Sequence, residues 1–144
     1  MPVQPIYTTT VTSTGARSGH VESSDGRLKA NLSAPRAMHG DDGPGTNPEQ
    51  LFAAAYSACF ASAAEFQAML QKLDPGAITV TGTVGVGPDG SGSFGIKVHL
   101  EVAIEKLSQA AAEKLAADAH AVCPYSKAVH GNVDVKITVK GLDA

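Results

Sequence analysis

The sequence has no tryptophan, few aromatic residues and only two cysteines among 144 residues. It contains no Cys-x-x-Cys motif, so neither a thioredoxin-like redox motif nor a zinc knuckle is indicated. His120 and Cys123 have a spacing that metal ligands can have, but no second pair completes a four-ligand site. We therefore expect no bound metal and no organic cofactor.

Clusters of basic residues and long apolar runs are also missing. The net charge is −3, and the acidic and basic side chains are interspersed, which argues against a nucleic-acid partner. The longest nearly apolar stretch, residues 51–64, is shorter than the roughly 20 residues that cross a bilayer. The first residues lack the basic and apolar regions of a secretory signal. We expect a cytoplasmic protein, in which two cysteines are more often reduced, catalytic or inert than structurally bridged.

The first third of the sequence has the composition of β-strands. Residues 6–14 are rich in Thr, Val and Tyr, and residues 28–32 alternate apolar with polar side chains after a hairpin signal. A loop follows and ends at Asn47, which is a good N-cap for a helix. We expect that helix over residues 48–72.

The remaining sequence predicts a hairpin, a helix and a final strand. Apolar residues mark a strand over residues 78–86 and alternate without a break over residues 94–104. A helix is expected over residues 109–122 and a strand over residues 133–139. Because hairpins predominate over βαβ units, we predict an α+β fold. The length of the chain, residues 1–144, fits a single domain.

The central helix is unusual because its middle, residues 51–64, is apolar or small on every face. Such a pattern predicts a helix that is buried on all sides. So few strands from one chain cannot easily cover it. We therefore expect a homodimer in which the two central helices pack together.

The two cysteines are the first candidates for chemistry. Cys59 lies in the middle of the apolar helix, and Cys123 follows the second helix. On composition alone, small buried hydrophobic residues are the commoner interpretation, and burial raises the pKa of a thiol. A reactive Cys59 would therefore need a positively charged partner that favours its thiolate.

Arg17 and Glu49 are candidates for the charged groups of such a site. Arg17 lies in a turn flanked by glycines, where an arginine is ordinarily solvated, and Glu49 at the helix start ordinarily interacts with the helix dipole. Ten residues of helix separate Glu49 from Cys59, or about 15 Å. Either the arginine bridges this gap or the partner chain contributes, and we favour a site at the dimer interface.

Longer motifs around these residues resemble the organic hydroperoxide resistance proteins, a branch of the OsmC-like family. The similarity extends over nearly the whole chain and is most specific around the cysteines. The matching segments are TNPEQLFAA at 46–54, YSACF at 56–60, CPYS at 123–126, GNVDV at 131–135 and, in the N-terminal hairpins, TGAR at 14–17.

This resemblance implies an OsmC-like fold, in which a long buried central helix is wrapped by antiparallel β-sheet in an intertwined homodimer. It implies a thiol peroxidase with its sites at the dimer interface. Cys59 matches the peroxidatic cysteine, Cys123 the resolving cysteine, and Arg17 with Glu49 the polar pair that supports the thiolate. The family draws its electrons from dihydrolipoamide, typically on lipoylated proteins.

The apolar surroundings of Cys59 indicate the substrate. Phe52, Tyr56, Phe60 and Tyr125 are the expected substrate-binding residues, and they suit an alkyl or lipid hydroperoxide better than hydrogen peroxide. The sequence departs from the family pattern at a few positions, which bear on substrate preference and reductant docking: Ala55, Lys127, Val129 and His130. Two alternatives remain open, a non-catalytic thiol switch and a small-molecule binding protein with inert cysteines.

Overall fold

A computed structural model describes residues 2–144 of the chain. These residues form two compact units, of which the first ends at Leu51 and the second comprises Phe52–Ala144. The single domain expected over residues 1–144 stays a prediction. Among the described residues, no helix combines the length and the apolar character needed to span a membrane.

The first unit contains a small antiparallel sheet. Its strands are β1 (Val11–Thr14), β2 (His20–Ser23) and β3 (Lys29–Asn31), paired in that order. The strand expected over residues 6–14 is shorter than predicted. The register ends where Val11 faces Ser23, because the chain turns after Ser23. One further hydrogen bond follows, from the backbone N–H of Ser24 to the carbonyl oxygen of Thr10 at 3.0 Å.

The central helix α1 (Pro48–Leu70) ends within two residues of the predicted boundary. The side chain of Asn47 accepts a 2.8 Å hydrogen bond from the backbone N–H of Gln50, which confirms the predicted N-cap. The Gln50 side chain does not complete a reciprocal capping box, because it accepts a 2.7 Å bond from the Thr46 hydroxyl.

The second unit contains a mixed sheet and two further helices. The strands β4 (Ile78–Pro88) and β5 (Phe94–Ile104) form the predicted hairpin. The helices α2 (Gln109–Val122) and α3 (Pro124–Val129) then lead to β6 (Asp134–Gly141), which pairs with β5 in parallel. A parallel pair requires a crossover connection, and α2 with α3 supplies it. The α+β class is confirmed, whereas α3 and the parallel pairing were not expected.

Helix α1 packs one face against the core of the second unit. Its buried side chains there are Tyr56, Phe60, Ala63, Ala64 and Ala68. The close approach of helix and sheet depends on Gly82 of β4, where an added Cβ would lie only 2.5 Å from the Ser57 hydroxyl oxygen. A glycine in mid-strand therefore marks the contact between the helix and the sheet.

The other face of α1 is exposed in this chain, which differs from the expected burial on all sides. The unit places one sheet and one helix pair against a single side of α1, and no element of it covers the opposite side. The exposed positions include Ala54, Ala58, Ser62, Phe66 and Met69.

Candidate active site

The two cysteines lie next to each other in the second unit. The Cys123 thiol is completely buried and donates a long hydrogen bond to the sulfur of Cys59, with 3.9 Å between the two Sγ atoms. Cys59 is partly exposed on α1, and Cys123 occupies the junction between α2 and α3. Both are free thiols. A disulfide needs the sulfurs to approach to about 2.05 Å, so a small movement would join them.

The surroundings of Cys59 within this unit favour the neutral thiol. Burial raises the pKa of Cys59, and the neighbouring Cys123 raises it further, because two thiolates at this separation would repel each other. A backbone hydrogen bond from Tyr125 acts in the opposite direction but is the smallest influence. A stable thiolate therefore requires a positive charge beyond these groups.

A chain of three hydrogen-bonded side chains runs beside the sulfur pair. The buried Tyr56 hydroxyl lies 2.7 Å from the hydroxyl oxygen of Ser126, which in turn lies 2.8 Å from Nδ1 of His120. Burial raises the pKa of Tyr56, whereas its hydrogen bond with Ser126 lowers it. No role was predicted for Ser126, and the only role considered for His120 was that of a metal ligand beside Cys123. Tyr56 lies three residues before Cys59, and Ser126 lies three residues after Cys123. This matched spacing is the sequence feature that could have indicated a role for Ser126.

The four expected substrate-binding side chains differ in accessibility. Tyr56 and Phe60 have no exposed surface in this chain, so they can shape the apolar floor behind Cys59 but offer no face to a ligand. Phe52 is half-buried, and Tyr125 is 38% exposed. The Tyr56 ring contacts both, with centroids 6.1 Å from Phe52 and 6.0 Å from Tyr125. Of the predicted set, only Phe52 and Tyr125 present surface here.

Arg17 and Glu49 form a forked ion pair in the first unit. Both terminal nitrogens of Arg17 donate to the two carboxylate oxygens of Glu49 over 2.7 Å. These hydrogen bonds raise the pKa of Arg17 and lower the pKa of Glu49. The turn that carries Arg17 needs Gly19, because a Cβ there would lie 1.7 Å from the Thr14 carbonyl oxygen. The sequence-predicted residues are thus brought together as two pairs, one in each unit.

The described residues contain no group of three or more His, Cys, Asp or Glu side chains that could hold a metal ion. The chain is an α+β protein in which a long helix packs on a mixed sheet and two free thiols lie next to each other.

Comparison with known proteins places the chain in a family. The family model described as OsmC-like protein matches residues 39–138. The organic hydroperoxide resistance protein of Xanthomonas axonopodis pv. citri is 46% identical over 139 residues, which are 96% of this chain and 97% of that protein. The chain belongs to the OsmC-like family, and the resemblance found in its cysteine motifs is confirmed.

Solved structures agree with this assignment. The organic hydroperoxide resistance protein OhrB of Bacillus subtilis superposes with a TM-score of 0.87 at 43% identity, covering 94% of this chain and 100% of that one. The organic hydroperoxide resistance protein of Elizabethkingia anophelis gives a TM-score of 0.91 at 42% identity, covering 96% and 99% of the two chains.

Proposed function

We propose that this protein is a cysteine-based thiol peroxidase that reduces organic hydroperoxides to alcohols. The names of its relatives support a role in resistance to organic hydroperoxides. The single observation that carries the proposed chemistry is the 3.9 Å contact between the sulfurs of Cys59 and Cys123. One thiol that is partly accessible and a second that is buried behind it suit the unequal roles of a peroxidatic and a resolving cysteine.

The proposed cycle has three steps. The thiolate of Cys59 attacks the terminal oxygen of the hydroperoxide, the O–O bond breaks, and the alkoxide leaves and takes a proton to become the alcohol. Cys59 is then a sulfenic acid, and condensation with the Cys123 thiol gives a disulfide and water. A dithiol such as dihydrolipoamide, free or on a lipoylated protein, restores both thiols by exchange and becomes a disulfide itself.

The raised pKa of Cys59 gives Arg17 its proposed role. Burial and the neighbouring sulfur favour the thiol, so the first step needs a cation that favours the thiolate. Arg17 is the proposed cation, because its guanidinium is always charged and its fork with Glu49 fixes its orientation. Arg17 also has N–H groups left that can donate to the peroxide oxygens as charge develops.

The exposed face of α1 supports the proposed homodimer. Phe66 and Met69 are 51% and 63% exposed, and the small residues Ala54 and Ala58 lie on the same side of the helix. A second copy of α1 packed there would bury this face. The separation of Glu49 from Cys59 along the unbroken α1 agrees with a site to which both protomers contribute.

An organic substrate is favoured by the side chains around the thiols. Phe52 and Tyr125 both contact the ring of Tyr56, one helical turn before Cys59, and keep part of their own surface exposed, which would bind an alkyl or lipid tail. Hydrogen peroxide has no such tail and would gain nothing from these rings. We therefore expect cumene hydroperoxide to be turned over more efficiently than hydrogen peroxide, and equal efficiency would contradict this preference.

The decisive experiment measures hydroperoxide consumption with dihydrolipoamide, and with glutathione for comparison. Wild type should turn over cumene hydroperoxide with dihydrolipoamide. Cys59→Ser should be inactive, and Cys123→Ser in the absence of added thiol should consume one equivalent and stop. Oxidation of the wild-type thiols without sustained turnover would indicate a thiol switch instead. Thiols that resist oxidation altogether would indicate a binding protein with inert cysteines.

A further inference from the structure

The hydroxyl of Ser126 is buried and has two side-chain hydrogen-bond partners. The residue is 3% exposed, and it contacts the Tyr56 hydroxyl at 2.7 Å and Nδ1 of His120 at 2.8 Å. The three residues lie on three different helices: Tyr56 on α1, His120 on α2 and Ser126 on α3. This hydrogen-bonded chain therefore ties together the three helices that carry or flank the two thiols.

The chain runs alongside the sulfur contact at a spacing of one helical turn. Tyr56 precedes Cys59 by three residues on α1, and Ser126 follows Cys123 by three residues in the first turn of α3. Residues three apart on a helix are neighbours on its surface. The Tyr56–Ser126 bond and the Cys59–Cys123 contact are thus two adjacent cross-links between the same pair of helices.

Helix α3 is held in place by tertiary contacts, of which this cross-link is one. It has only six residues, and the side chain of Cys123 at its N-cap makes no capping hydrogen bond. A helix this short has little stability of its own, so tertiary contacts must hold it. Because Cys123 is the residue from which α3 starts, whatever fixes the first turn of α3 also fixes the Cys123 sulfur.

The direction of the hydrogen bonds follows from burial. Tyr56 is completely buried, so its O–H must donate to Ser126 or remain without an acceptor, which is costly. In the tautomer whose Nδ1 carries no proton, Ser126 accepts from Tyr56 and donates to Nδ1 of His120. In this arrangement every group of the chain is satisfied, and His120 acts as the terminal acceptor.

We infer that the Tyr56–Ser126–His120 chain positions Cys123 for attack on oxidised Cys59, so that it governs how quickly the disulfide closes. This inference rests on the proposed peroxidase function for its biological meaning. In the step concerned, the Cys123 sulfur attacks the sulfenic sulfur of Cys59 and the S–S bond forms. The S–O bond breaks, and the departing hydroxide takes the Cys123 proton as water. If closure is slow, a second hydroperoxide can oxidise the sulfenic acid irreversibly to sulfinic acid.

The first test does not use peroxide. The Cys59–Cys123 disulfide is equilibrated with buffers of reduced and oxidised glutathione, and the effective concentration of the two thiols is read from the equilibrium. Tyr56→Phe removes one hydrogen bond and should lower this effective concentration about tenfold, whereas Ser126→Ala removes both and should lower it at least as much. Values equal to wild type in both variants would overturn the proposal.

Two comparisons separate positioning from general loss of stability. Ser108→Ala removes another hydroxyl, the N-cap of α2, and should destabilise the protein without changing the effective concentration. At position 120, Asn keeps an acceptor near the place of Nδ1, whereas Leu does not. His120→Leu should therefore reproduce the effect and His120→Asn should not. This pair also tests the proposal if the variants at the more buried Tyr56 and Ser126 fail to fold. An effect of Ser108→Ala as large as that of Ser126→Ala would refute positioning.

The second test uses cumene hydroperoxide and dihydrolipoamide, with over-oxidised Cys59 counted by mass spectrometry. Ser126→Ala should be over-oxidised at about tenfold lower hydroperoxide concentration than wild type, while the rate of the first oxidation of Cys59 is unchanged. The two proposals can fail separately. If wild type consumes no hydroperoxide but the variants still differ from wild type as expected in glutathione buffer, the peroxidase function is refuted and the positioning role is retained.

Discussion

The guanidinium of Arg17 and the carboxylate of Glu49 face each other in a two-bond fork, with both N···O distances at 2.7 Å. The arginine is one third exposed and the glutamate less than a fifth, so the pair lies at the edge of the solvent. Such a fork fixes the plane of the guanidinium, which a single contact would not do. It therefore holds the guanidinium in a defined orientation, as the role proposed for Arg17 requires.

The first prediction concerns Arg17. Arg17→Met keeps the aliphatic stem and removes the charge, so the rate of Cys59 oxidation by cumene hydroperoxide should fall about a hundredfold in stopped-flow measurements. Arg17→Lys should recover only part of this rate, because an ammonium cannot form the fork. The matched control is Arg27→Met, since Arg27 makes only an exposed 3.8 Å ion pair with Asp25. If Cys59 is oxidised at the wild-type rate in both Arg17→Met and Arg27→Met, Arg17 has no part in the mechanism.

The second prediction concerns stability against pH. The pKa of Glu49 is lowered in the folded protein by its hydrogen bonds with Arg17. The stabilisation is therefore present above the unfolded pKa, about 4.3, and is lost as the pH falls through the lower folded value. Glu49→Gln should cost about 1 kcal/mol in free energy of unfolding at pH 7, a modest figure because the pair is partly solvated.

Urea unfolding of wild type and Glu49→Gln at pH 7, 5 and 3 measures this difference. The gap between the two proteins should persist at pH 7 and 5 and shrink at the lowest pH. Other carboxyl groups whose pKa is lowered titrate in both proteins and cancel in the difference; they are Asp25, Asp74, Asp89 and Asp118. A gap that stays constant over this range would mean that the ion pair does not contribute to folding.

The sequence predicted those parts of the molecule that depend on local chemistry. The N-cap Asn47, the span of α2 and the eleven residues of β5 agree with the structure, because capping residues and strict alternation act over a few residues. The parallel placement of β6 depends on a long-range crossover, for which the sequence carries no local signal. The sequence pattern therefore predicts the individual helices and strands better than it predicts which strands pair.

The candidate site shows the same division. The cysteine motifs could be identified from the sequence. The hydrogen bonds that join Ser126 to Tyr56 and to His120 could not be predicted, and they span 70 and 6 residues. Burial of Tyr56 and Phe60 behind Cys59 was also not evident from a helix that is apolar on all faces. Such a helix has almost no amphipathic direction, so the sequence does not say which face meets the sheet.

The third prediction concerns the exposed face of α1. Light scattering of wild type at micromolar concentration should give the mass of two chains. Ala58→Arg places a charge on this face and should shift the mass towards one chain, because a buried unpaired charge is costly. Ala117→Arg, on an exposed position of α2, should leave the mass unchanged. A monomeric wild type would rule out the dimer, and with it any site shared between protomers.

The fourth prediction concerns the packing of α1 on β4. A Cβ at position 82 would lie 2.5 Å from the Ser57 hydroxyl oxygen and 3.2 Å from the Ala53 carbonyl oxygen, so Gly82→Ala should destabilise the protein by about 1–3 kcal/mol. Gly85→Ala is the matched control on the same strand, where an added Cβ meets nothing within 4 Å.

The double variant Gly82→Ala with Ser57→Ala separates the two contacts made by that Cβ. Removing the Ser57 hydroxyl relieves the closer contact but leaves the Ala53 carbonyl, so denaturant unfolding should recover part of the lost stability and not all of it. Because Ser57 lies two residues before Cys59 on α1, any residual displacement of the helix would also move the sulfur. The Gly82→Ala protein should therefore form the Cys59–Cys123 disulfide more slowly than the Gly85→Ala protein. Equal rates would mean that the helix tolerates the extra carbon without moving the site.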